Sequence, residues 1–278
     1  MNIAIYGAGA YGTALGEILK AAGHSILYYD PIKYPDQSLA AVLRSSEVNI
    51  LACPSNSIGK LILFIPHDKP LICATKGFLS TGQFKDFKQF SVLSGGAFAA
   101  DLLAKKPTVL TATSPIIGEI FKASWLSFEY TNDIFGVLLC GSFKNIYAIG
   151  SGYRRLNPDM PEFTDYLNAV YAEIRLILAA NGCNPSTVDL SCGKTDLYIT
   201  CASVASRNYR FGLNILEDPS LPLKLRSGEA HPDATTEGYS ALKSLPTSSL
   251  QIPGNTPILK SIYDLVFPPV EDPKKKRS

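Results

Sequence analysis

Cysteine is sparse and unpatterned in this chain. The six residues, Cys53, Cys73, Cys140, Cys183, Cys192 and Cys201, include no CxxC pair. Most lie within apolar runs, where a free thiol packs as a small hydrophobe, so they point to a reducing cytoplasm and suggest no metal site. An excess of charge of one sign is missing as well. A formal net charge of +2 over 278 residues argues against nucleic acid or an anionic membrane surface and fits a small-molecule substrate. The chain does not open on a basic segment followed by an apolar stretch and a cleavage site, so no secretory signal is expected. An uninterrupted membrane-length run is also lacking. The longest apolar stretch, residues 134–153, is broken by Lys144 and Asn145 and reads as a buried helix rather than a membrane span. Repeats and low-complexity tracts are absent apart from the basic end at Lys274, Lys275, Lys276 and Arg277, which reads as a solvated tail rather than a targeting or anion-binding patch.

What is present is a hydrophobic share of 46%, enough for a large core in one unit or, as expected here, two. Residues 2–6 form an apolar strand and residues 7–12 a turn. Residues 13–22 have helical spacing through Ala14, Leu15, Ile18 and Leu19 before Gly23 stops them, and residues 25–29 form a second strand. Further strands are predicted at 48–52, 71–74, 91–93, 109–112 and 125–130, with short helical or loop stretches at 57–64, 98–104 and 115–122. This alternation predicts an α/β fold, a Rossmann-like doubly wound parallel sheet over residues 1–132. Residues 133–278 are expected to form an all-helical unit, with long periodic segments at 134–150, 163–180, 190–202 and 207–215. Residues 217–235 and 246–257 read as irregular loops.

The turn Gly7-Ala8-Gly9-Ala10-Tyr11-Gly12 fits G-x-G-x-x-G in its required setting, after a strand and before a helix. Gly7 permits the tight turn, Gly9 admits a pyrophosphate to the backbone, and Gly12 lets the helix lie close on the sheet. The reading is a dinucleotide site; a purely structural turn in a domain that lost its ligand is the alternative. Asp30 ends the next strand, where a carboxylate can bond the adenosine ribose and repel a 2′-phosphate, which favours NAD and leaves NADP possible. Asp30-Pro31 could also be a simple turn.

A dehydrogenase that reduces a ketone needs a proton donor. Lys144 is the candidate, because it interrupts an apolar helix beside Asn145, and burial would lower its pKa into a useful range. A lysine snorkelling from a helix end is the competing reading. Asp196 and Thr200 stand four apart on one helical face, either as functional partners or as a capping or solvent-facing pair. Ser206-Arg207-Asn208 opens the next helical segment, where Arg207 and Asn208 with free N–H groups could hold a phosphate; Arg207 could equally be a surface residue.

Taken in order, these pieces resemble the NAD(P)-dependent sn-glycerol-3-phosphate dehydrogenases, especially the bacterial form. Residues 7–15 are similar to that family's GAGSWGTAL, Cys53-Pro54-Ser55 to its VPS, Lys76-Gly77-Phe78 to KGL, and residues 94–99 to SGPSFA. Residues 141–149 resemble GALKNVIAI, residues 196–201 resemble DLVLTC, residues 206–212 resemble SRNRRFG, and Glu237-Gly238-Tyr239 resembles VEGY. The resemblance implies Lys144 as proton donor or acceptor, supported by Asp196 and Thr200. It implies Lys76, Gly95 and Asn145 beside the substrate, and Arg207 and Asn208 on its phosphate with Ser206 adjacent. Ala10, Tyr11, Ala99, Arg207 and Glu237 would lie around the cofactor. It further implies a homodimer acting on dihydroxyacetone phosphate and sn-glycerol 3-phosphate.

Four departures stand out, one of them Asp30, which replaces an arginine or similar polar residue common at the end of the family's second strand and agrees with the NAD preference. The family's Pro and Ser in SGPSFA are Gly96 and Ala97 here, which would remove a hydroxyl and a rigid turn from a loop that touches substrate. The chain is shortened between Asp30 and Cys53, and the connection between Asn208 and Glu237 is lengthened. These departures keep two rivals open: a related dehydrogenase for another phosphorylated ketone or hydroxy acid, and a catalytically idle dinucleotide-binding sensor.

Overall fold

The computed structural model describes residues 1–77, 81–232 and 236–269. In β1 (Asn2–Tyr6) alternate side chains enter different cores. Ile3 and Ile5 face one apolar cluster, and Ala4 and Tyr6 face another, as the two-residue period of a strand dictates. The chain continues through α1 (Ala10–Ala21), β2 (Ser25–Tyr29), α2 (Leu39–Ser45), β3 (Val48–Leu51), α3 (Ser55–Leu61), β4 (Leu71–Cys73), β5 (Phe90–Ser94), α4 (Ala99–Leu103), β6 (Thr108–Ala112), α5 (Pro115–Ile120) and β7 (Leu126–Tyr130). The seven strands form one sheet in the order β2-β1-β3-β4-β5-β6-β7. Helix α1 packs against α4, and the cluster on that side of the sheet is built from Leu15, Leu19, Ile50, Leu93, Leu110 and Ile117 among others.

The sheet departs from the expected wholly parallel form at one pairing. Strands β5 and β6 run antiparallel, with Leu93 opposite Ala112 and Ser94 opposite Thr111, while the other pairs are parallel. An apolar run reads the same in either direction, so the sequence pattern carries no information about strand direction.

The second half is helical: α6 (Ile134–Tyr153), α7 (Pro161–Ala180), α8 (Lys194–Cys201), α9 (Arg207–Glu217), α10 (Leu221–Ser227), α11 (Glu237–Ser244) and α12 (Pro257–Val266). Helix α6 is long and apolar enough to cross a membrane by composition, yet residues 136–152 are all buried beneath α7, α8, α9, α11 and α12. Its contact with α9 is backbone to backbone. A Cβ on Gly152 would lie 1.9 Å from Tyr209 O, and one on Gly212 would lie 2.0 Å from Ile149 O. The larger core cluster is continuous from Ala4 and Leu51 of the sheet to Phe143, Ile146 and Leu242 of the bundle.

Two short helices fall where the sequence reads as connection. Helix α2 spans seven residues with only Val42 buried, too short for periodicity to register. Helix α10 lies inside the expected loop 217–235, begun by Pro222 in its first turn and closed by Gly228 at φ +82. The same Pro and Gly that suggest a loop are its start and stop. Residues 233–235 of that loop and the basic end, Lys274 to Arg277, lie outside the described residues.

Candidate active site

The glycine turn lies between β1 and α1. Gly7 has φ +104, and a Cβ on it would stand 2.7 Å from Ala52 O; a Cβ on Gly12 would be 2.0 Å from Gly7 O. Gly9 is different. It has an ordinary φ of −64 and nothing within 4 Å of its Cβ position, so it opens a space at the N-terminus of α1, where no side chain caps the amide groups. That cradle fits a dinucleotide pyrophosphate. Asp30, just beyond β2, accepts hydrogen bonds from Ala8 N (2.8 Å), Ile32 N (3.0 Å) and Lys33 N (3.1 Å). Partial burial acts to raise its pKa, but these amides and the Lys33 charge outweigh it and hold the carboxyl below its usual value. The residue therefore makes the local turn and braces the glycine loop together.

Lys144 lies in the middle of α6 and is 5% exposed, so it does not snorkel from a helix end. Its Nζ donates to Asp196 Oδ1 (2.5 Å) and to Thr200 Oγ1 (3.1 Å), and Thr200 Oγ1 donates to the Asp196 carbonyl (2.5 Å). Asp196 is 1% exposed; with Thr200 it faces inward, not toward solvent. Lys76, just after β4, donates to Asp196 Oδ2 (2.9 Å), Asp196 Oδ1 (3.2 Å) and the carbonyl of Gly95 (3.1 Å). Its Nζ also stands 5.4 Å from the centre of the Tyr11 ring.

Two ammonium groups thus share one buried carboxylate, and their fates diverge. Burial, with some help from the Lys76 charge and against the pull of Asp196, brings Lys144 down to about 7. Burial also acts to lower Lys76, but Asp196 and Tyr11, with the hydrogen bonding around its Nζ, together outweigh it and raise that lysine above its ordinary value. One lysine can exchange a proton near neutral pH beside another that stays charged.

Asn145 and Asn208 meet. Asn208 Nδ2 donates to Asn145 Oδ1 (2.9 Å), while Asn208 Oδ1 accepts from Gly238 N at the start of α11 (2.9 Å). Ser206 is the N-cap of α9, accepting from Tyr209 N (3.3 Å). Arg207 stands apart, exposed in the first turn of α9, its charge opposing only in small part the burial that raises the Glu237 carboxyl. It borders a cavity of about 170 Å³ with Arg210, His231 and Thr236. Glu237 accepts from Ser55 Oγ (2.9 Å) and lies against Gly77, where a Cβ would be 2.5 Å from its Oε2; its burial raises its pKa overall. Ala10 is exposed, and Tyr11 and Ala99 border the same apolar cluster.

The expectation for Gly96 and Ala97 changes. Ala97 is buried in that cluster at 6% exposure, and Gly96 sits against the first turn of α8. Position 97 therefore belongs to the apolar packing beneath this loop. Sequence reasoning does not assign Ser55 a role or pair Tyr11 with Lys76. Both are contacts between segments distant in sequence, and only the motif positions of the residues hint at them.

The family model described as the C-terminus of NAD-dependent glycerol-3-phosphate dehydrogenase matches residues 133–273, just over half of the chain. The chain is 27% identical to the glycerol-3-phosphate dehydrogenase (NAD(P)+) of Baumannia cicadellinicola, over 96% of this chain and 91% of that one. It is 28% identical to the corresponding protein of Geobacillus kaustophilus, over 99% and 92%. The crystal structure of glycerol-3-phosphate dehydrogenase from Coxiella burnetii shares the fold, with a TM-score of 0.79 at 22% identity over 95% of this chain and 94% of that one. The sequence motifs, the lysine–aspartate centre and the family match converge: the chain belongs to the NAD-dependent glycerol-3-phosphate dehydrogenase family.

Proposed function

We propose that this protein interconverts dihydroxyacetone phosphate and sn-glycerol 3-phosphate, with Lys144 as the proton donor and acceptor and NAD(H) preferred over NADP(H). The observation that carries the reading is the buried Lys144 held between Asp196 and Thr200 with Lys76 across the same carboxylate. Gly7, Gly9 and Gly12 would hold a nicotinamide dinucleotide, which would supply the hydride chemistry at the ketone carbon. In reduction the carbonyl oxygen gains the electron pair, and Lys144 gives it a proton from Nζ, leaving a neutral amine. In oxidation the neutral amine removes the hydroxyl proton. Lys76, charged throughout, stabilises the oxyanion as it develops. Asp196 keeps both lysines in place, and Thr200 fixes the direction of the Lys144 Nζ.

Arg207 supplies a guanidinium for the substrate phosphate, with Asn208 and the free amides of the first turn of α9 beside it. Glu237, linked to Ser55, borders the cofactor from the helical side. The fixed anion of Asp30 at the end of β2 favours a free 2′-hydroxyl over a 2′-phosphate. The test is oxidation of NADH by the purified protein with dihydroxyacetone phosphate, run beside NADPH and beside Lys144→Ala. Turnover with NADH that exceeds that with NADPH and collapses in the variant is the expected result. Cofactor binding without reduction of this ketone would overturn the substrate assignment.

A further inference from the structure

We propose that Gly96 is a positioning residue of the acid–base centre: having no side chain, it lets the turn of residues 94–97 seat on the first turn of α8 and so fixes Asp196 between Lys76 and Lys144. The proposal rests on the reading of Lys144 given above. A Cβ on Gly96 would lie 2.5 Å from Thr195 Cγ2, 2.6 Å from Thr195 C and 2.7 Å from Asp196 N. Two of these three atoms are backbone, so no change of rotamer relieves the contact; α8 would have to move.

Hydrogen bonds hold the seat from the other side. Gly96 N donates to Ser191 Oγ (3.3 Å), and Ser191 Oγ donates to Val109 O of β6 (2.6 Å). Ser191 N donates to Glu129 Oε2 of β7 (2.7 Å), and Cys192 N to Thr111 Oγ1 of β6 (2.9 Å). The segment leading into α8 is therefore fastened to the sheet, while the neighbouring Gly95 carbonyl accepts from Lys76. The carboxylate belongs to the helical bundle, but its position is set by a turn of the sheet.

This arrangement predicts a direction of change. Moving the start of α8 off residues 94–97 carries Asp196 away from Lys76, which Gly95 retains, but not from Lys144 on α6, against which α8 packs. Lys144 then no longer shares its counter-charge with Lys76, and that change favours its protonated form. Among the described residues, the charged groups around Lys144 are Asp196 of α8 and Lys76 after β4. The nearby Cys201 thiol of α8 and Tyr11 phenol of α1 are kept neutral by burial.

The test is the pH at which Lys144 titrates, read from lysine 13Cε and 15Nζ resonances of the full chain and assigned by their loss in Lys144→Met. Gly96→Ala is expected to raise it by about half a unit or more, roughly a threefold change in protonation. Ser191→Ala removes the hydroxyl joining Gly96 to Val109 without adding volume, and is expected to give a smaller rise. Gly59→Ala, on α3 with nothing within 4 Å of the new methyl, is expected to titrate with the wild type. A Gly96→Ala protein with native circular dichroism and unchanged Lys144 titration overturns the proposal. Should Gly96→Ala not fold, Ser191→Ala at the wild-type value does so, as does an equal shift in Gly59→Ala. Failure of the wider reading is a different result: dihydroxyacetone phosphate is not reduced although the Lys144 titration still moves.

Discussion

At the scale of single residues the chemistry depends on how one carboxylate divides its attention between two lysines. With Lys144 titrating near 7, ketone reduction needs its protonated form and alcohol oxidation its neutral form. The kcat/KM for reduction should therefore fall as pH rises through about 7, and that for oxidation should fall as pH drops through it, which parallel pH profiles would show. The same shift affects stability. The value in the folded protein lies below the ordinary 10.5, so between the two values the unfolded chain holds this proton and the folded one does not. The stability this group contributes thus rises with pH from about 7 to about 10.5. Melting temperatures of wild type and Lys144→Met, compared across that window, should diverge in favour of the wild type as pH increases. Asp196→Asn leaves the buried amine of Lys144 and the partly exposed amine of Lys76 without their counter-charge. A loss of about 3–5 kcal/mol in denaturant unfolding is expected, together with a loss of activity.

At the scale of elements, the bundle carries a buried polar junction among its apolar faces. Glu173 of α7 is 4% exposed; it accepts from Tyr147 OH of α6 (2.8 Å) and from Ile258 N (2.6 Å) and Leu259 N (3.0 Å), the first turn of α12. One carboxylate thereby joins three helices and satisfies amides that α12 cannot satisfy itself. Glu173→Leu should cost about 2–4 kcal/mol, because two buried donors and one part-buried donor lose their acceptor, and should leave the pH profile of any activity in place. Chemical denaturation and the profile together check both halves of that expectation.

At the scale of the whole molecule, the candidate site exists only where sheet and bundle meet. Lys76 and Gly95 come from the sheet, Lys144 and Asp196 from the bundle, and Ser55 meets Glu237 across the same junction. Cofactor binding and chemistry should then be separable. A Cβ at position 9 has no protein atom within 4 Å, so Gly9→Val places its branched side chain in the space beside the first turn of α1. It should melt close to the wild type without ligand yet lose most of the stabilisation by NADH, which for a bound cofactor at a hundred times its Kd is about 2.7 kcal/mol. Lys144→Met should retain that stabilisation while turning nothing over. Thermal melts with and without NADH distinguish the two.

Much of this was determined by the sequence alone. The strand, the glycine turn, the helix and Asp30 are contiguous, and local sterics force their arrangement. The interruption of an apolar helix by Lys144 marks a buried cation, because only a paired or deprotonated lysine survives there. The tertiary structure alone decided the rest. That Asp196 serves both lysines, that Asn208 spans Asn145 and Gly238, that β6 runs against β5, and that Gly96 meets the backbone of α8 are all consequences of packing between segments far apart in the chain. A sequence pattern records which face of an element is apolar. It does not record which distant element that face will meet, and the pKa that makes Lys144 useful arises from that meeting.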